Sequence, residues 1–129
     1  MIRLTVALLL GAAASMGATA ADVTADDALR EWAMADGQRL TQASWCGYAE
    51  DALDRLTAQL RVRTDARMRE RGGSVDEQGY GDGFYAGMQR AMSELLALPA
   101  DETADEHRYR ARHCAQLRSE IDALLSAGR

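Results

Sequence analysis

The sequence predicts an all-α protein, a small three- to four-helix bundle stapled by one disulfide. Three observations carry that expectation. Apolar residues recur at helical spacing over most of the chain, and no alternating pattern of useful length suggests a strand. Proline occurs once, at Pro99, so few positions forbid helix. The two cysteines, Cys46 and Cys114, both fall on apolar helix faces.

The chain opens Met1-Ile2-Arg3 and runs uncharged from Leu4 to Ala14, with Leu8, Leu9 and Leu10 in a row. Small residues follow and end in Ala18-Thr19-Ala20. A basic start, a short apolar middle and an Ala-x-Ala end are the parts of a secretory signal peptide. We therefore expect residues 1–20 to be a signal peptide cleaved near Ala20, and residues 21–129 to form a single helical domain, periplasmic or secreted. A retained anchor would need about 20 predominantly apolar residues, and the second half of this stretch is Ala, Gly, Ser and Thr. No later stretch is apolar enough to span, so no membrane insertion of the mature chain is expected.

Four helices follow from the remaining pattern. Thr24-Ala25-Asp26-Asp27 suggests a capped start for a short first helix carrying Leu29 and Trp32, which Gly37 would end. A long helix is expected from about Gln38 to Arg71, with Cys46, Ala49, Leu53, Leu56 and Leu60 on one face. Arg61, Arg63, Arg67, Arg69 and Arg71 gather at its C-terminal end, where cations favour the helix dipole; a solvated face is the plainer reading of that run, an anionic partner the sharper one. Gly72-Gly73 stops this helix. Ser74 with Glu77 offers a capping box, but Gly79, Gly81 and Gly83 make regular helix expensive there. The next helix is secure over Phe84 to Leu98, with Phe84, Met88, Ala91, Leu95 and Leu98 on one face. The last runs from about Thr103 to Ser126, capped by Thr103 and Glu106, with Ala104, His107, Ala111, Cys114, Leu117, Ile121 and Leu124 as its stripe.

Cys46 and Cys114 stand 68 positions apart. An isolated even pair in an oxidising compartment most often forms a disulfide, and a redox pair normally sits close together as Cys-x-x-Cys. The bond should tie the long helix to the last one.

Composition narrows the partners. All 15 basic residues are arginine, and without Arg3 the remaining 14 face 20 acids, a balance of −6. No nucleic acid is expected to bind a chain of that sign, and no polybasic segment marks it for a membrane surface.

No catalytic, metal or cofactor signature emerges. His107 and His113 are six residues apart and so about 240° round a helix, pointing apart, whereas zinc needs three or four convergent ligands. No serine sits in a nucleophile-elbow or Ser-x-x-Lys context. Carboxylate pairs occur, Glu50 with Asp54 and Glu102 with Glu106, as surface charge would have it. The glycines of residues 72–83 match neither phosphate-loop spacing, and a calcium loop from Asp76 would put Tyr80 at a ligand position.

The expectation is a non-enzyme: a small helical binding protein, inhibitor- or immunity-like, that binds one envelope or secreted protein. The alternatives are a periplasmic stress chaperone or sensor adaptor with an apolar client-binding surface, and a small envelope enzyme of unknown class. Met68, Met88 and Met92 are few and fall on core stripes, which weighs against the chaperone. The candidate recognition element is residues 72–83 as an irregular exposed loop. Asp76, Glu77, Tyr80, Asp82 and Phe84 would be its partner contacts, because binding residues concentrate on loops and Tyr gives large contact area at little entropy cost. Two plainer readings stand beside it. One is a connector with Tyr80 and Phe84 tucked under the bundle. The other is a helix in which Gly79, Gly83 and Gly87, four apart, let a neighbour approach closely.

Overall fold

The computed structural model describes residues 16–97 and 104–128, with side chains described for 25–97 and 108–128. Those residues form four helices, α1 (Met16–Trp45), α2 (Glu50–Glu70), α3 (Glu77–Leu96) and α4 (Ala104–Ala127), and no strand. Most of the expected signal peptide, Leu98, Pro99, the Thr103 capping residue and the side chains of Glu106 and His107 lie outside the described residues. The backbone of α1 includes Ala18 to Ala20, where cleavage is expected.

The helix boundaries of the first half differ from those the sequence suggests. Neither Thr24 starts a helix nor Gly37 ends one; α1 runs through both. The expected long helix from Gln38 to Arg71 is broken instead at Gly47, whose φ of 90° is left-handed. There the Gly47 N–H donates to the Ser44 carbonyl at 3.0 Å and the Tyr48 N–H to the Ala43 carbonyl at 3.2 Å, a Schellman stop. The same device ends α2: Gly72 has φ 77°, and the Gly72 and Gly73 amides reach back to Arg69 and Met68. Cys46, Leu53, Leu56 and Leu60 of that stripe still face one core, because α1 and α2 double back across the corner with their apolar faces together, while Ala49, at the start of α2, is exposed.

Two apolar clusters hold the helices. One joins the end of α1, α2 and α4 through Ala43, Leu56, Leu60, Leu117 and Ile121. The other joins α1, the end of α2 and the start of α3 through Leu29, Ala33, Met68 and Tyr80. The Cys46–Cys114 disulfide lies beside the first cluster, with Cα atoms 5.6 Å apart. Around it, Tyr48 Oη donates to Asp122 at 3.1 Å and Arg39 pairs with Glu120 at 2.7 Å.

α3 begins at Glu77, capped by Asp76, whose carboxylate accepts from the Gly79 N–H at 2.8 Å. Ser74 is not the cap. Gly79, Gly81 and Gly83 are helical, so the exposed loop expected over residues 72–83 shrinks to the few residues before Asp76. The reason is tertiary. A Cβ on Gly87 would stand 2.0 Å from the Met34 carbonyl oxygen, and one on Gly37 would stand 2.0 Å from that of Phe84. α1 and α3 thus pack almost backbone to backbone, and the contact outweighs the roughly 1 kcal/mol that each helical glycine costs against alanine.

Candidate functional site

A buried polar knot fixes the three helices that frame the site. Asp36 of α1 is 0% exposed. Its Oδ2 accepts from Thr64 Oγ1 of α2 at 2.7 Å and from Tyr80 Oη of α3 at 3.0 Å. Its Oδ1 accepts from Arg63 Nη2 at 3.3 Å. A buried carboxylate is tolerated only when its lone pairs are satisfied in this way. Arg61 extends the knot outwards: its guanidinium lies 4.7 Å from the Tyr80 ring centre and is ion-paired with Glu77 and Asp65. The Glu77 hydrogen bond is the main force raising the Arg61 pKa, and the same bond holds Glu77 below the usual carboxylate range.

Burial, then the Asp36 charge, pushes the Tyr80 phenol well above its ordinary value of 10.0. Ionising it is harder in the fold than in the unfolded chain, so this contribution is complete below the unfolded value and is lost progressively as pH rises from there through the raised folded value. Above about pH 10 the urea midpoint is therefore expected to fall, and Tyr80→Phe should show a smaller fall. At neutral pH the same variant should lose about 1.5 kcal/mol, one hydrogen bond to a charged acceptor. An unchanged pH slope in Tyr80→Phe would assign the alkaline loss to another group.

At the other end of the same helices, α1, α2 and α3 enclose an apolar groove of about 450 Å³. No Cα of α3 comes within 8 Å of one in α2, while both helices lie against α1. The knot bridges that gap near the start of α3, and beyond it the gap stays open. Leu40, Thr41, Ser44 and Trp45 of α1 form the floor, and Leu53, Asp54 and Thr57 of α2 one wall. The other wall is Met88, Met92, Leu95 and Leu96 of α3. Met92 is 52% and Leu96 78% exposed, so neither methionine nor leucine there is core, contrary to the stripe reading of Met92. Tyr85, 62% exposed, continues the line one turn earlier. Thr41 is 8% exposed, and its Oγ1 has no hydrogen-bond partner among the described residues.

The five residues expected to contact a partner lie together at the start of α3 but do not form one exposed surface. Tyr80 is 8% exposed and bonded into the knot, so it cannot serve as a surface anchor. Phe84 is half-buried beside it, with ring centres 5.8 Å apart. Asp76 is the helix cap and Glu77 an ion-pair partner; Asp82 is exposed. The two plainer readings together describe the segment better: a helix packed through its glycines, with both aromatic rings tucked inward.

The arginine run at the end of α2 is largely engaged. Arg67 and Arg71 lie over the Trp32 ring at 5.7 and 5.3 Å, and Arg63 reaches Asp36. Among the described residues no three His, Cys, Asp or Glu side chains converge on a metal position. The sequence reasoning missed both Asp36 and the groove. A signal for the second existed in Tyr85, Met88, Met92 and Leu96, spaced 3, 4 and 4, which lies beside the buried glycine stripe of the same helix. In comparisons with known proteins, no family model, curated protein or solved structure matches the chain.

Proposed function

We propose that the chain is a non-catalytic binding protein of the periplasm or cell exterior that holds an apolar segment of one protein partner in the α1–α2–α3 groove. The observation that carries this reading is the exposure of Met92 and Leu96 along a groove whose walls do not close. Monomeric proteins seldom leave a contiguous apolar surface open without using it, and a concave apolar site with few polar groups is the usual form of a binding site. The extracytoplasmic location rests on the leader-like residues 1–20 and agrees with the Cys46–Cys114 bond, since such bonds persist in oxidising compartments. No helix of the described residues is long and apolar enough to cross a membrane.

A specific inhibitor-like partner protein and a client-holding chaperone both use such a groove. Met88 and Met92 favour the second reading to this extent, that unbranched thioethers adapt to varied partners. A photo-cross-linking side chain at position 92, introduced in the producing cell, separates them. One dominant adduct is expected, with none from the same group at exposed position 112. With that partner purified, Met92→Glu should weaken binding by about 2 kcal/mol. Many adducts would point to the chaperone, and equal labelling at both positions would remove the groove from the function.

A further inference from the structure

The charges beside the groove are not balanced. Glu50 and Asp54, one turn apart on α2, share the face that carries Leu53 and Thr57, with Asp54 itself lining the groove. Both carboxylates are exposed, and neither has an ion pair among the described residues. Three cations of the flanking helices are occupied, while Arg55, next to Asp54 in sequence and exposed, has no ion pair among the described residues. Arg61 is held by Glu77 and Asp65, and Arg90 by Glu94 at 3.3 Å. Arg110 lies on the Trp45 ring at 4.7 Å and donates to the Trp45 carbonyl at 2.7 Å. The groove therefore presents an apolar floor and an α2 rim on which Glu50 and Asp54 have no ion pair among the described residues.

We infer that the occupant is a basic amphipathic helix of the partner protein, its apolar face against Met88, Met92 and Leu96 and its Lys or Arg residues over Glu50 and Asp54. The inference rests on the groove reading proposed above. A helix fits better than an extended strand because the described residues offer no sheet edge for strand addition. The stripe from Tyr85 to Leu96 is about 16 Å long at 1.5 Å per residue, three turns of a partner helix. Like-charged carboxylates at i,i+4 disfavour α2 by themselves, and a cation on the partner relieves that repulsion. The floor also supplies a buried polar feature. Thr41 Oγ1 is buried there without a partner, and a short polar side chain on the bound helix would give it one.

Isothermal titration of the full mature chain tests this with two synthetic helical peptides of about 14 residues, roughly 21 Å long. They share one Leu-rich face and differ only in carrying Lys or Glu on the polar face. The Lys peptide is expected to bind at least tenfold tighter at low ionic strength, with the ratio shrinking as salt screens the rim. Glu50→Gln with Asp54→Asn should bring the two affinities within about twofold, and Glu50→Lys with Asp54→Lys should reverse their order. Both sites are exposed, so helix content by circular dichroism should be unchanged in each variant. Equal binding of the two peptides, abolished by Met92→Glu with Leu96→Glu, would overturn the charge inference and leave the groove reading standing. Binding of neither peptide would overturn both. So would sedimentation of the free chain as a dimer dispersed by Met92→Glu, which would make a second copy the occupant.

Discussion

Gly87→Ala is expected to destabilise the protein by about 3 kcal/mol, in the range of overpacked cores, although alanine is the better helix former by about 1 kcal/mol. The added methyl would meet Met34 backbone atoms at 2.0, 2.7 and 2.8 Å. Backbone cannot rotate aside as a side chain can, so α1 and α3 must separate. The separation would be transmitted to the Asp36 knot, because Tyr80 sits on α3 two turns before Gly87. Gly37→Ala meets the Phe84 carbonyl oxygen at 2.0 Å from the opposite side and should behave alike. Gly81→Ala is the control: nothing lies within 4 Å of its added methyl, so it should stabilise by up to about 1 kcal/mol. Urea unfolding followed by circular dichroism reads all three. A Gly87→Ala variant as stable as the parent would mean that the helices are farther apart than described.

Replacing both Cys46 and Cys114 by alanine should cost about 4 kcal/mol, the chain-entropy figure for a loop of this length, out of a total stability of about 5–15 kcal/mol. The pair closes 68 positions of chain. In the folded state α4 keeps Leu117 and Ile121 in the core, together with the Arg39–Glu120 and Tyr48–Asp122 contacts. Helix content at room temperature should therefore stay near native while the melting midpoint drops sharply. Reductant should reproduce the effect on the parent and leave the double variant unaffected. Equal melting of oxidised and reduced parent would show that α4 is held by its apolar face alone. A non-reducing gel should show a monomer, since both cysteines belong to one bond within the chain.

The readings that held and those that failed divide by range. Cys114, Leu117, Ile121 and Leu124 turn inward as their spacing implies, because a helix face is a local property of 3.6 residues per turn. Gly83 and Gly87 allow the close approach of α1 that the four-residue glycine repeat suggests, whereas a Cβ on Gly79 would meet only the Asp76 side chain that caps its own helix. The corner at Gly47 escaped notice because the apolar period runs through it unchanged; Ala43 before it and Leu56 after it face the same cluster. Gly37 misled for the opposite reason. A glycine in an apolar pattern reads as a stop, and only the Phe84 backbone, far along the chain, makes it an interior necessity.

The sequence by itself determined that this chain is helical, that its two cysteines sit on faces that would meet, and that its surface is acidic. Those properties depend on residue type and on neighbours within a turn or two. The tertiary structure alone decided that Asp36, among the acids of the described residues, is buried. Asp36 looks like any surface aspartate until Thr64 and Tyr80, 28 and 44 positions away, deliver their hydroxyls to it. It also decided that Met92 and Leu96 face outward. Their exposure depends on how far α2 stands from α3, a distance set by the glycine contact with α1 and the knot at one end. No local pattern encodes the distance between two helices that touch directly only near the start of α3 and otherwise lie against a third.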